Sequence, residues 1–544
     1  MDGDVSSYSK EVAKGSLWSL AGNAFFKLVS FFYVVLIARA ASPDDVGLFY
    51  LSLSIVSLVT VFSDIGLPAS FQRYVPYFEG RGERGRVSSL LRSGNLIVAG
   101  AGLVFSAFTF YHADGAGGFY QNAKLPEAIR LLSAYVFFGN LFRLNTSFLQ
   151  GRSDIKSMQF VSNIQNLLKL AISLPLFHLF GAGVATITAG FVLSFALAYL
   201  VSFPAMRRNA AGLPPAGWMP EPALLREVVP FGLMMTVLGS FWVIIASTDK
   251  VLLGYLMPPQ SATETVAAYS LATTLAYVLM TFPISIEAIF LPIISRLFGK
   301  GELGEVRQVT QTAQRWTLLI TIPVSIVMML FAADMLAIFY GEQYRAAAAA
   351  MAITTLGLLI RACSWMLSLA LAAMRKVGLE LGITLAVAVV NVLLNALLIP
   401  LYGMEGSAAA TLAGFALMLA LLAYYSRKLF GFTFPPETYK LALAGAAAFL
   451  IVFALRQPLS ALQGSLPDFG AGEAEAYSSK VLYLAYLGFL IALSVALFAL
   501  ASLLLKCLHQ EDVSLMRKAM ARAGVPERAI ALAGKIADYG VRKQ

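Results

Sequence analysis

Long apolar runs recur along nearly the whole chain and restrict its fold more than any other feature. Stretches such as SLWSLAGNAFFKLVSFFYVVLIARA (16–40) and TLAVAVVNVLLNALLIPLYG (384–403) carry almost no charge. A helix needs about 20 predominantly apolar residues to cross the hydrocarbon core of a bilayer. The runs are continuous rather than alternating, which excludes a β-barrel. In lipid, a segment of this kind satisfies its own backbone only as a helix. Of 544 residues, 58% are hydrophobic and 13% charged, against about 25% charged in a soluble domain. The expectation is an all-α polytopic membrane protein.

About fourteen spans of the required length are expected: 16–40, 46–70, 88–111, 128–150, 157–180, 183–206, 228–254, 265–297, 312–339, 346–373, 378–400, 405–427, 438–456 and 480–507. Pro283 and Pro292 in the eighth, and Pro323 in the ninth, should kink them. The first run is too long for a signal-peptide core and lacks a clear cleavage site, so it reads as a retained span.

The net charge of +10 could suggest a nucleic-acid partner, but its placement argues against one. Lys10 and Lys14, Arg81 to Arg92, Arg152 and Lys156, Arg207 and Arg208, Arg296 and Lys300, Arg375 and Lys376, Arg427 and Lys428, and the tail all fall on one side of the expected spans. Few basic residues fall on the other. This is the positive-inside pattern, with both termini cytoplasmic. The basic face then meets anionic lipid rather than DNA. Cys363 and Cys507 are far apart, and three histidines are scattered; neither a metal site nor a cofactor is expected.

The chain also repeats. GRSDIKSMQFVSNIQNLLKLAISLPLFHLFGAGVATITAG (151–190) parallels AAMRKVGLELGITLAVAVVNVLLNALLIPLYGMEGSAAATLAG (372–414). Each has a basic turn, a helix with spaced polar residues, and a glycine turn opening a small-residue helix. ARAASPDDVGLFYLSLS (38–54) likewise parallels 253–274. Two six-helix lobes related by an axis along the membrane normal are a known transporter plan. The expected organisation is an N-terminal lobe 1–206, a cytoplasmic linker 207–227, a C-terminal lobe 228–427, two extra helices in 428–508, and an amphipathic tail 509–544. Asn391 and Asn395, four apart on one face before Pro400, Gly403 and Gly406, mark a hairpin built to pack against other helices.

Three blocks resemble one family. They are KGSLWSLAGNAFFKLVSFFYVVLIARAASPDDVGLFYLSLSIVSL (14–58) with FSDIGLPASFQRYVPYF (62–78), TDKVLLGYL with VAAYSLATTLAYV (248–278), and the hairpin at 391–414. Together they are similar to the oligosaccharide and polysaccharide flippases of the multidrug/oligosaccharidyl-lipid/polysaccharide exporter superfamily. Ala267-Ala268 departs from the family's usual glycine before Tyr269. The resemblance implies a transporter that flips a polyprenyl-pyrophosphate-linked oligosaccharide across the cell membrane by alternating access. Glycosyltransferases or a glycan polymerase of the same pathway are candidate partners. A multidrug or cation antiporter is the alternative, and a membrane glycan polymerase or ligase a more distant one.

An ionisable residue inside a span costs about 2.5–3.5 kcal/mol on insertion scales, so it faces a cavity or a partner. Lys27, Arg143, Lys169, Lys250 and Arg361 are the intraspan cations. If they face a cleft, they suit a lipid pyrophosphate, whose charge needs neutralising in a low-dielectric path. Arg143 lies nearer a span end, where snorkelling explains it equally well, and for Lys250, beside Asp249 near its span end, snorkelling is the stronger reading. Asp249 and Glu287 are candidates for a coupling or ion-pair role. The buried asparagines are expected to bond helix to helix. Asp44-Asp45 after Pro43 reads as helix first-turn chemistry rather than a catalytic pair, and no Walker motif is present.

Overall fold

The computed structural model describes residues 22–23, 25–215, 221–463 and 474–507. The beginning of the expected first span, residues 464–473 within the expected 428–508 region, and the tail 509–544 lie outside them. The described residues are helices joined by short turns, with no strand among them. Helix α1 occupies 25–40. It is followed by α2 (Pro43–Ser63), α3 (Leu67–Gly80), α4 (Arg84–Tyr111), α5 (Ala113–Phe119), α6 (Leu125–Gly151), α7 (Ile155–Phe180), α8 (Val184–Ala210) and α9 (Pro222–Leu256). Then come α10 (Pro259–Ala276), α11 (Thr281–Gly299), α12 (Leu303–Leu330), α13 (Ala332–Phe339), α14 (Ala348–Ala373), α15 (Val377–Phe430), α16 (Pro436–Gln463) and α17 (Ala474–Leu504).

Among the described residues, 11 helices are long and apolar enough to cross a membrane, three fewer than the expected fourteen spans. One is α15, whose 54 residues run through a break at Gly403 (φ 57°, ψ −131°). At 1.5 Å per residue such a helix would be more than twice as long as a bilayer core is thick. It folds back on itself instead. A Cβ on Gly406 would overlap the Leu398 carbonyl, and Ser407 Oγ donates to Asn395 Oδ1 at 2.8 Å. The eighth expected span is also interrupted, because a 3₁₀ turn at Tyr277–Met280 separates α10 from α11, just ahead of Pro283.

Cα packing divides the chain into two units. The first is Met1–Thr274 with Leu336–Ala350 and Thr384–Gly414; the second is Leu275–Met335, Met351–Ile383 and Phe415–Gln544. In the first unit, small residues let helices touch. A Cβ on Gly47 of α2 would run into the Thr263 carbonyl of α10, and one on Gly66 into the Gly232 carbonyl of α9. Such contacts drive helix association in lipid, where no hydrophobic force separates helix from solvent. Leu67, Phe71, Val75, Leu144, Phe148 and Leu149 form a fully or nearly fully buried core where α3 meets α6. Ser42 caps α2 by accepting from Asp45 N at 3.2 Å. Asp45 Oδ1 in turn accepts from Val184 N at 3.2 Å, and Asp44 from Thr263 Oγ1 at 2.6 Å. The acidic pair thus joins three helix starts.

The two copies of the repeat share a backbone signature. The first copy has left-handed Ser153 (φ 60°) before α7 and left-handed Gly181 (φ 80°) after it. The second has left-handed Arg375 (φ 59°) before α15 and left-handed Gly403 at its break. The interval is the same in both copies. Lys169 and Ser173 therefore occupy the positions that Asn391 and Asn395 hold in the second copy. By the same reckoning from Pro43 and Pro259, which open α2 and α10, Tyr33 stands where the second copy has Asp249.

Candidate functional site

The second copy builds a pocket around Asp249, which is buried on α9. Its Oδ2 accepts from Tyr269 Oη at 2.8 Å and from Thr411 Oγ1 at 3.0 Å. Its Oδ1 accepts from Asn395 Nδ2 at 2.9 Å. The same Asn395 amide reaches the Asn391 side chain at 3.2 Å, and Asn391 Nδ2 donates to Thr411 Oγ1 at 3.4 Å. Both arms of the α15 hairpin thus turn their polar groups toward one carboxylate. A charge at this depth is tolerated only with such partners. Lys250, next in sequence, donates to the Ala246 carbonyl of its own helix at 2.7 Å. Side-chain oxygens dominate the pocket, which suits a proton or a hard cation rather than a transition metal. Among the described residues, no cluster of three or more His, Cys, Asp or Glu is placed to hold a metal.

The corresponding position of the first copy is chemically inverted. Lys169 Nζ lies 4.5 Å from the centre of the Tyr33 ring, in the favourable geometry for a cation over an aromatic face. Tyr33 is buried and Ser173 lies beside it. Lys169 is half-buried and has no carboxylate in ion-pair range among the described residues. Neighbouring polar groups tie α1 to α7: Ser30 Oγ donates to Asn166 Oδ1 at 3.2 Å, and Gln159 Nε2 to Asn23 Oδ1 at 3.2 Å. Lys27 is exposed on α1. A cavity of about 580 Å³ opens at the basic end of α7, with Phe25, Lys156, Gln159, Asn163 and Arg208 in its wall. Arg143 on α6 is neutralised by Asp64, with Nη1 3.1 Å from Oδ2. That carboxylate also accepts from Gly66 N at 2.9 Å in the turn between α2 and α3.

In the second unit, Arg361 of α14 is buried, with its guanidinium 4.6 Å from the Trp365 ring centre and Nη1 donating to Ser364 Oγ at 3.1 Å. Glu287 of α11 and Glu380 of α15 both lie within electrostatic range of it. Trp365 lies near Glu287, and Ser368 Oγ donates to Glu380 Oε1. Arg456 of α16 holds Asp334 at 2.6 Å, a carboxylate that also accepts from Tyr483 Oη of α17. An apolar cavity of about 460 Å³ is walled by Ile322, Ile326, Leu356, Cys363, Leu419 and Phe449.

The seven charged residues singled out in the sequence therefore fall into separate places. Asp249, Lys250, Lys27, Lys169 and Arg143 lie in the first unit; Arg361 and Glu287 lie in the second. The asparagines bond helix to helix as expected: Asn145 Nδ2 donates to Ser202 Oγ at 2.8 Å. Tyr33, Tyr269, Thr411 and Glu380 were not legible as site residues. The first three are ordinary span residues whose role comes from distant partners. Glu380 reads as a helix first-turn acid.

A family model described as polysaccharide biosynthesis protein matches residues 36–349. The chain is 25% identical over 160 residues to a probable low-salt glycan biosynthesis flippase of Haloferax volcanii, covering 29% of this chain and 34% of that one. It is 22% identical over 339 residues to a putative O-antigen transporter of Shigella flexneri, covering 61% and 78%. Among solved structures, the lipid II flippase MurJ in an inward closed conformation superposes with a TM-score of 0.68 at 16% identity, covering 89% of this chain and 98% of that one.

Proposed function

The chain belongs to the polysaccharide biosynthesis protein family, and on that premise we propose that it flips a polyprenyl-pyrophosphate-linked oligosaccharide from one leaflet to the other by alternating access. The carrying observation is Lys169. It is a half-buried cation within a span, backed by Tyr33 and without a neutralising carboxylate among the described residues. An ammonium so placed is stabilised when a phosphate reaches it. Lys27, Arg143, Lys250 and Arg361 add further positive charge, each with local partners of its own. The sugar-pyrophosphate head crosses past these groups while the polyprenyl chain remains in lipid. Asp249 is the group that couples an ion to this cycle, held among the hydroxyl and amide groups of the second copy.

The membrane arrangement we propose has fourteen crossings. α1, α6 and the second arm of α15 join the 11 qualifying helices. Lobes 1–206 and 228–427 rock against each other, the termini are cytoplasmic, and the substrate comes from glycosyltransferases at the inner face.

The test is a leaflet-resolved assay in proteoliposomes with a fluorescent polyprenyl-pyrophosphate oligosaccharide. The protein should move the label between leaflets without forming or breaking a glycosidic bond. Bond formation would favour a polymerase or ligase instead. Movement of lipophilic cations but not of the labelled lipid would favour the antiporter reading, to which the acid-centred pocket of Asp249 lends support.

A further inference from the structure

α7 turns one continuous face to the cavity at its basic end. Lys156, Gln159, Phe160, Asn163, Ile164 and Leu167 all line that cavity, and their spacing of three and four residues puts them on one side of the helix. The face changes character with depth. Lys156 is exposed in the first turn, and Arg208 of α8 is the other cation of the wall. Asn163 lies about 10 Å further along the axis than Lys156, and Leu167 about 16 Å. The wall thus runs from cations through carboxamides to aliphatic groups. Phe25 of α1 and Phe160 add aromatic surface, and both rings are exposed. The volume of about 580 Å³ falls among pockets for small molecules, about 300–1,000 Å³.

Most polar groups of this wall are held, and one is not. Gln159 Nε2 donates to Asn23 Oδ1 at 3.2 Å. Residue 22 is glycine at this contact, where a Cβ would lie 2.6 Å from Gln159 Oε1. Arg208 donates to Asp154 Oδ2 at 2.8 Å and to Ser157 Oγ. With 68% of its side chain exposed, its fork of five N–H groups keeps donors for a ligand. Gln165 and Asn166 are engaged with Ser194 and Ser30. Asn163 Oδ1, by contrast, is buried and meets no donor among the described residues. An unanswered amide within a span is costly unless something supplies the missing bond. Rotation about χ2 lets this amide offer the cavity either a donor or an acceptor. The matching ligand has an anionic end, a body whose groups both give and accept hydrogen bonds, and C–H faces to lie on aromatic rings. A sugar pyrophosphate has all three. A phospholipid with its phosphate at the cations would bring ester groups to Asn163, and esters only accept.

We propose that this cavity is a loading subsite, where the sugar joined to the pyrophosphate docks before it crosses. Asn163 and Gln159 meet its polar edge, Phe25 and Phe160 cover its carbon face, and Lys156 and Arg208 hold the pyrophosphate, the arginine as a fork and the lysine as a point charge. The polyprenyl chain stays in lipid. Lys169, about 9 Å beyond Asn163 along α7, is the next cation on the same helix. The inference rests on the flippase reading and adds the residues that select the sugar.

The experiment titrates the purified full chain in nanodiscs with two lipids, each fluorescent at the prenyl end: a polyprenyl-pyrophosphate oligosaccharide and the same polyprenyl pyrophosphate without sugar. The parent should bind the first at least about tenfold more tightly. Asn163→Leu keeps the volume and removes no bond made by Oδ1; it should bring that ratio close to one, and Asn163→Gln should restore part of it. Phe160→Ala, at an exposed position, should lower the ratio as well and serves as the test if Asn163→Leu does not fold. Lys156→Gln should weaken both lipids alike and leave the ratio standing. Equal binding of the two lipids by the parent, the parent ratio retained in both Asn163→Leu and Phe160→Ala, or displacement of both lipids by phosphatidylglycerol overturns the loading subsite. The flippase reading fails on a different result, the parent moving neither lipid between leaflets in proteoliposomes.

Discussion

At the scale of single residues, the decisive contrast is between charges that are answered locally and one that is not. Asp249 has three donors within 3.0 Å. Asp249→Ala takes the carboxylate acceptor from Tyr269 and Thr411, at about 1–3 kcal/mol for each buried donor left unpaired, while Asn395 keeps Asn391 as acceptor; Asp249→Asn keeps the shape and part of the bonding. Thermal unfolding in nanodiscs should therefore place Asp249→Ala well below Asp249→Asn. Lys169 has no comparable network. Lys169→Ala should leave thermal stability nearly unchanged, yet lower the flipping rate at least about tenfold, the equivalent of 1.4 kcal/mol. Lys169→Arg should retain part of the rate. An unchanged rate in Lys169→Ala would remove the observation on which the function rests. Much at this scale was legible in the sequence, because an ionisable residue in an apolar run is visible without a structure. The partners were not. Asn395 meets Asp249 across more than a hundred residues of chain, and a single sequence carries no record of such contacts. Arg361 looked available for substrate because it lies mid-span in an apolar run, which shows nothing of its partners.

At the scale of elements, the turns set the helix ends more sharply than hydropathy could. Asp154 caps α7 by accepting from Ser157 N at 3.1 Å. Against the desolvation of partial burial, bonds from Asn209, Ser157 and Arg208 hold its carboxyl down at about 2. Asp154→Ala should destabilise the α7–α8 hairpin by about 1 kcal/mol, the usual loss for such a cap. Because the folded value lies below the ordinary one of about 3.9, the parent keeps this advantage above about pH 4 and loses it as pH falls toward 2. The gap in apparent Tm between parent and Asp154→Ala should close over that window. Gly47→Ala should be worse at every pH, since the added methyl meets backbone at Thr263 rather than a side chain that could move. The hairpin at 391–414 was readable from its glycines and asparagines. The break at Tyr277–Met280 was placed too late, at the prolines themselves, because proline forbids a helical hydrogen bond one turn ahead of its own position.

At the scale of the whole molecule, the helical membrane class followed from composition and run length alone, and the superfamily fold from three short blocks of sequence. The sidedness rests on lysine and arginine placement, and it is open to a direct check. In a background lacking Cys363 and Cys507, single cysteines at Gly82 or Gly301 should resist an impermeant thiol reagent applied to intact cells, whereas cysteines at Asn122 or Gly341 should react. The reverse pattern would invert the proposed topology. The matched turns at Ser153 and Arg375, and at Gly181 and Gly403, make the two copies interchangeable in backbone but not in charge. The duplicated backbone carries two different chemistries at two different positions, Lys169 where the second copy has Asn391 and Asp249 where the first has Tyr33, so neither copy can stand in for the other.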